Sequence, residues 1–331
     1  MSNCLLRYIS TKGEKILSKK EIIQRLLQII IVLFGVSFLT FSLTYLAPGD
    51  PAYAMYEANG VVPTQQMLES ARQSMGLDKP FLMRYFTWLI NCLQGNLGTS
   101  FFKHKEVAIL LKDRLLPTIQ LAFFSLLLTL IISIPLGIIA AIYKNRLADY
   151  IIRGLTFLGI SMPSFWVGLL LLYIFALRLN RMPVISSEFG FQKLVLPAAT
   201  LAIAMSAKYT RQVRAAVLEE INKDYVIGAR ARGIEENIIL IKHILPNSML
   251  PLITLLGLSL GSLLAGTAVV EIIFSYPGLG NLAVSAVATR DYPLIQGFVL
   301  WISLMYMSIN LIVDISYKYF DPRIGKKEVR G

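Results

Sequence analysis

The chain has 331 residues, 55% hydrophobic and 16% charged, with a mean hydropathy of +0.62, which excludes an ordinary water-soluble globular domain. Its 32 Lys and Arg against 20 Asp and Glu leave a net charge of +12, a surplus that in a membrane chain reports sidedness before it reports nucleic acid. Cys4 and Cys92, like His104 and His243, fall on opposite faces of the topology derived below, so neither a disulfide scaffold nor a metal site is expected.

A hydrocarbon core of about 30 Å needs roughly 20 mostly apolar residues per helix. Six windows meet that requirement: 26–46, 118–143 (opening after Pro117), 154–177, 195–217, 251–273 and 294–317. The first is too long for a signal peptide and has no small-residue cleavage site after it, so it reads as an anchor. The chain therefore divides into a leader (1–25), a first transmembrane helix (26–46) and an outer loop (47–117). A five-helix core (118–318) carrying a cytoplasmic loop (208–246) and a tail (319–331) complete it. The fold class expected is an all-α integral membrane protein of six helices.

The leader holds Arg7, Lys12, Lys15, Lys19, Lys20 and Arg25, which places it in the cytoplasm. Alternating the loops from there puts 21 basic residues inside and 11 outside. The opposite orientation would invert that bias, so both termini are expected in the cytoplasm.

Some residues resist the bilayer. Lys208 lies about 20 Å along the fourth span, where facing lipid would cost roughly 2.5–3.5 kcal/mol, so it faces protein or water or snorkels inward. Asp314 falls at the inner boundary of the last span. Glu271, near the outer end of the fifth, is a candidate to line a polar pathway or, equally, a hydrogen-bonded structural carboxylate. Gly257, Gly261 and Ala265 put small side chains on one stripe, suited to close helix packing or to the moving seam of a pathway.

No phosphate loop is present: Gly325-Lys326 lacks the upstream glycine and the hydroxyl residue. The chain is not expected to hydrolyse ATP or to act as an enzyme. A driven transport subunit, a self-contained channel or secondary transporter, and a membrane enzyme with an unrecognised site remain.

The loop between the fourth and fifth spans is too long for a connector. Residues 215–221 continue the fourth helix, Asp224 can cap a short helix starting at Tyr225, and Gly233 can end it. A second helix runs from about Ile234 to His243, and Pro246 opens the next span. Tyr225, Val226 and Ala229 can form an apolar face beside Arg230 and Arg232, fit for a protein partner or for anionic headgroups.

The stretches Asp224-Tyr225-Val226, Ala229-Arg230-Ala231-Arg232-Gly233 and His243-Ile244-Leu245-Pro246-Asn247 resemble the signature cytoplasmic loop of permease subunits of bacterial ABC importers. Gly49-Asp50-Pro51, Gly95-Asn96-Leu97-Gly98-Thr99-Ser100 and Ser161-Met162-Pro163-Ser164-Phe165-Trp166 look like the dipeptide, oligopeptide and nickel branch, as do Tyr276-Pro277-Gly278-Leu279-Gly280, Arg290-Asp291-Tyr292-Pro293 and Asp321-Pro322-Arg323. Of the family's Glu-Ala-Ala wording only Ala229 is kept. The resemblance covers residues 22–324 and looks closest to nickel permeases.

It implies a type I importer permease in the bacterial cytoplasmic membrane. Asp224, Tyr225, Ala229, Arg230 and Gly233 would couple it to partner ATPase subunits, which use the ATP and Mg; no cofactor is bound by this chain. Cargo would be nickel, as ion or chelate, with dipeptides or oligopeptides as the alternative. Further implied partners are a second permease, two ATPases and an extracytoplasmic binding protein, with lipid around and no nucleic acid. The outer loop reads as a docking scoop or a plain lid, with Trp88, Asn96, Asp291 and Tyr292 as docking candidates. Glu271, Gly257 and Gly261 are pathway candidates.

Overall fold

The computed structural model describes residues 19–58, 60–182 and 191–320. Most of the expected leader with Cys4, the tail from Asp321 with Asp321-Pro322-Arg323, and the side chains of Ala265 and Asp314 lie outside the described residues. Among those described, all regular structure is helical apart from one isolated bridge, Thr99 to Glu106. Helical backbone satisfies its own hydrogen bonds, which is what a bilayer demands.

The first helix, α1, is Lys19–Leu46. Three short helices follow: α2 (Pro51–Ala58), α3 (Gln65–Ser74) and α4 (Phe81–Leu93). Thr64 caps α3 by accepting the amide of Met67 at 3.4 Å. The long α5 spans Val107–Ile142 with Pro117 and Pro135 inside it. The sequence places the start of this helix after Pro117; it begins three turns earlier. A helical proline forfeits the bond to the carbonyl four residues back; the helix continues through Pro117 all the same, and the Pro117 carbonyl accepts a further bond from the Tyr276 hydroxyl at 3.0 Å, on the side where Pro117 and Thr118 are buried.

The expected span 154–177 is broken. Helix α6 (Leu147–Ser161) and α7 (Ser164–Leu171, continuing as a π-helical turn over Leu172–Arg178) meet at 100°. Pro163 forces Met162 out of the helical region, to ψ 129°, so the chain turns at Met162-Pro163. The expected span 251–273 is likewise divided at Thr267 into α11 (Leu245–Gly266) and α12 (Ala268–Ile273). Between these pairs lie α8 (Phe191–Ile221), α9 (Asp224–Ala231) and α10 (Glu236–Ile239) with a π-helical turn, Leu240–Ile244. The chain closes with α13 (Leu279–Ala288) and α14 (Tyr292–Phe320).

Residues 23–46, 107–142 and 292–313 are long and apolar enough to cross a membrane alone, and the bent pair makes a fourth candidate. Helix α8 is the centre of the bundle: α5, α6, α7 and α11 all pack on it, α5 most extensively. Small residues permit that approach. A Cβ at Gly137 would lie 2.5 Å from the Val213 Cβ, and one at Gly159 would lie 2.8 Å from the Ala207 Cβ.

Gly137→Leu should therefore lower stability by about 1–3 kcal/mol through overpacking, read as a lower melting temperature in detergent. Gly154→Leu, whose Cβ would meet nothing within 4 Å, should melt like the parent.

Candidate functional site

At one end of the bundle α8 runs straight out into a two-residue turn, Asn222-Lys223, and then α9. The cap position falls on Lys223 rather than Asp224; Asp224 is the first helical residue, where its charge favours the helix dipole. At the other end the backbone forms a paired C-terminal cap. Gly233, at φ +74°, donates its amide to the Arg230 carbonyl at 2.9 Å, and Ile234 donates to Ala229 at 3.3 Å. A β-branched residue would strain that left-handed backbone. Arg230 donates to both carboxylate oxygens of Glu236, at 2.6 and 3.2 Å, which locks α9 to α10 and holds the Glu236 carboxyl below its ordinary range.

Helix α9 is bolted to its own chain. Val226 and Ala229 are buried in a cluster with Ala141, Val213, Val217, Ile239, Ile244 and Leu252. The expected partner-facing surface is thereby corrected: Ala229 packs inward, because residues 226 and 229 share the turn that lies over α8. Asp224, Tyr225, Ile227, Gly228, Arg230, Ala231, Arg232 and Gly233 stay exposed, Ile227 at 55%. The Tyr225 hydroxyl donates to Glu220 at 2.7 Å and accepts from Asn247 at 3.3 Å, so one phenol ties α9 to both α8 and α11. Ile227 and Gly228 were not singled out by the sequence; in an eight-residue helix the apolar pattern fits two faces.

A second missed feature anchors this end. Asp149, fully buried, accepts two bonds of 2.8 Å from Arg214, one from the Asn145 amide at 3.0 Å, and stands 3.3 Å from Arg153. Residues 149 and 214 are 65 apart in sequence, so no local pattern announces the pair.

At the opposite end, Glu271 is fully buried and saturated. Its carboxylate accepts from Thr118 (3.1 Å), Thr267 (2.8 Å) and the Asn281 amide (2.8 Å), while Gly278 leaves room for it. It joins α5 and α12 to the start of α13, a placement in keeping with the structural alternative for it. Gly257 and Gly261 pack against Val313 and Tyr306 of α14; a Cβ at Gly261 would come 2.8 Å from the Tyr306 ring. In this chain that part of the stripe forms a close helix seam.

Asp291 is also buried, bonded by the Ser100 hydroxyl and, at 3.1 Å, by the Phe101 amide. It pins the outer turn to the start of α14 and is not a free contact. Trp88 is half-buried against Phe41 and Tyr85, within an aromatic cluster that includes Phe34, Phe38 and Phe81. Asn96 is exposed, but its carbonyl is spent on the Gly98 amide at 2.9 Å. Tyr292 lines a cleft of about 340 Å³ with Arg84, Arg72, Asp50 and Gln296. Tyr292 is the docking candidate that lines this cleft. Among the described residues no group of three or more His, Cys, Asp or Glu could hold a metal ion.

Comparison with known proteins covers nearly the whole chain. Residues 133–326 match the family described as "Binding-protein-dependent transport system inner membrane component", and residues 19–122 match its N-terminal part. The "Glutathione transport system permease protein GsiC" of Escherichia coli (strain K12) is 38% identical over 306 residues, 92% of this chain and 99% of the relative. The protein of that name from Shigella dysenteriae serotype 1 (strain Sd197) shows the same values. Among solved structures, inward-facing MetNI methionine ABC transporter chains superpose with a TM-score of 0.52 at 16–17% identity, over 64% of this chain and 96% of theirs.

Two outcomes follow from the geometry. Arg214→Met, which strands a buried carboxylate, should cost about 3–5 kcal/mol, while Asp149→Leu combined with Arg214→Met should recover much of that in a thermal melt. Burial pushes the Cys92 thiol up to about 11, so maleimide labelling of Cys92 should be slow at pH 7 and quicken about tenfold per pH unit toward pH 10, following the thiolate fraction.

Proposed function

Because the chain belongs to the binding-protein-dependent transport system inner membrane component family, and is a permease subunit rather than an enzyme, we propose that α9 is the helix through which an ATPase subunit drives it. One observation carries this reading. A short helix at the end of the central α8 is capped at its C-terminus and bolted inward through Val226 and Ala229, while Asp224, Ile227, Gly228, Arg230 and Arg232 stay exposed. An exposed isoleucine ringed by charges is the composition of an anchor that seats in a partner's cleft.

On this reading the chain lies in the cytoplasmic membrane with α9 and both termini on the cytoplasmic side. It completes its pathway with a second, homologous permease, above two ATPases that bind the ATP and Mg. The α2–α4 region receives a substrate-loaded binding protein, with the cleft around Tyr292, Arg84 and Arg72 at its centre. Two closing ATPases would draw the α9 helices together and rock the bundles between inward-facing and outward-facing states.

The leaning toward nickel gives way to the peptide-type alternative. The curated relatives at 38% identity are named for glutathione, and we propose a small peptide-type solute as the cargo.

Two variants test the coupling assignment. Ile227→Asp should cut co-purification of the ATPase subunits by about tenfold or more while the permease still inserts and melts normally. Gly233→Val should leave assembly intact but lower binding-protein-stimulated uptake. Parental uptake by both variants would overturn the role given to α9.

A further inference from the structure

The exposed side of α8 differs from every face of this protein built for lipid. Helix α1 exposes Leu26, Leu27, Ile30, Ile31 and Phe34, and α6 exposes Ile151, Leu155, Phe157 and Leu158. Among the described side chains of α8 the exposed ones are Gln192, Lys208, Arg211, Ala215 and Glu219, none of them a large apolar group. Lys208, Arg211, Ala215 and Glu219 follow spacings of three and four, as does half-exposed Ala204 one turn before them, so the five share one stripe.

The level of the stripe follows from the Asp149–Arg214 pair. That pair adjoins the 143–146 turn, whose Lys144 and Arg146 mark a headgroup level. Arg211 and Lys208 then lie about 5 and 9 Å deeper, and Ala204 about 15 Å. Among the described residues neither cation has an ion-pair partner, whereas Arg214, one turn away, has Asp149. A lysine alone can snorkel; a stripe of two cations with small residues on either side gives lipid nothing to pack against.

We propose that the Ala204–Lys208–Arg211–Ala215 face lines the aqueous pathway, closed in the assembly by the second permease, and that Lys208 and Arg211 make it selective for solutes carrying a carboxylate or other anionic group. The inference deepens the permease reading and rests on it. Two uncompensated cations in a low-dielectric cleft raise the local concentration of anions and hold them loosely, because no neighbouring group builds a tight bidentate site. A transit site needs that combination of easy access and easy release. It also explains why the central helix of a membrane bundle keeps charges on its open side and buries its apolar side.

The test uses the full importer in proteoliposomes, built on a Cys4→Ser/Cys92→Ser chain, with two membrane-impermeant thiol reagents of similar size: a sulfonate-bearing and a trimethylammonium-bearing methanethiosulfonate. Ala204→Cys keeps both cations and should react at least about tenfold faster than Leu158→Cys, a control at similar depth on the apolar face of α6. It should favour the anionic reagent, and Lys208→Gln/Arg211→Gln should lower that preference about fivefold or more. Ala204→Cys as inert as Leu158→Cys would overturn the aqueous face. Reactivity with no charge preference, or one indifferent to neutralisation, would overturn the anion selectivity. Binding-protein-stimulated ATP hydrolysis by the same vesicles is the separate arm: its absence in the parent importer would sink the permease reading, and its presence in each variant shows correct assembly.

Discussion

The arrangement of this protein depends on where its central helix stops. Helix α8 carries 31 residues, about 46 Å of rod, through a hydrocarbon layer of about 30 Å, so some device must set which part is in and which is out. The buried Asp149 carboxylate, with Arg214 forked onto it, supplies that device by fastening α8 to the start of α6. Such a pair adds little net stability over an apolar pair of the same volume. It does specify register, because sliding α8 by one turn would strand a carboxylate and a guanidinium together.

Once α8 is fixed, the rest of the bundle follows from how closely each neighbour can approach it. Gly137 and Gly159 let α5 and α6 come within side-chain contact of the α8 backbone, and Gly257 and Gly261 do the same for α11 against α14. Between lipid-embedded helices no hydrophobic gain is available, so shape and small residues carry the packing. The buried Glu271 network serves the opposite end: three donors from three elements meet one carboxylate and close the loop between α12 and α13. The buried carboxylates Asp149, Glu271 and Asp291 each have partners, whereas Lys208 and Arg211 on the α8 stripe have no ion-pair partner among the described residues.

Much of this was legible in the sequence. Apolar windows locate the rods, and Gly233, with Leu245-Pro246 beginning twelve residues on, locates the capped helix. What failed did so for identifiable reasons. Pro117 reads as a boundary, yet a proline costs a helix only one backbone bond, and the packing of this helix on its neighbours carries it through. Met162-Pro163 was read through because hydropathy averages over a bend that two residues suffice to make. Ala229 was turned the wrong way because a two-turn helix has too few positions to choose a face by itself. Asp149 with Arg214, Glu271 with Thr118 and Asp291 with Ser100 are contacts across 65, 153 and 191 residues; their chemistry is visible in the sequence and their pairing is not.

The same geometry constrains any motion the bundle can make. Helix α9 is held to α8 by the Val226 and Ala229 packing and by the Tyr225–Glu220 bond, and held to α10 and α11 by Arg230–Glu236 and Tyr225–Asn247. A force on the exposed side of α9 is therefore delivered to α8 and α11 together. Since α8 is one uninterrupted rod, tilting it at the α9 end displaces the stripe bearing Lys208 and Arg211 without bending the helix. On the proposed reading the cations and α9 sit on a single lever whose collar is the Asp149–Arg214 pair, with Asp224 10 residues beyond Arg214 and Lys208 and Arg211 6 and 3 residues before it. A short arm on the pathway side and a slightly longer one on the driven side convert a given displacement of α9 into a smaller one at the stripe. Because α5 is seated so closely on α8, the two must move together in any such rocking.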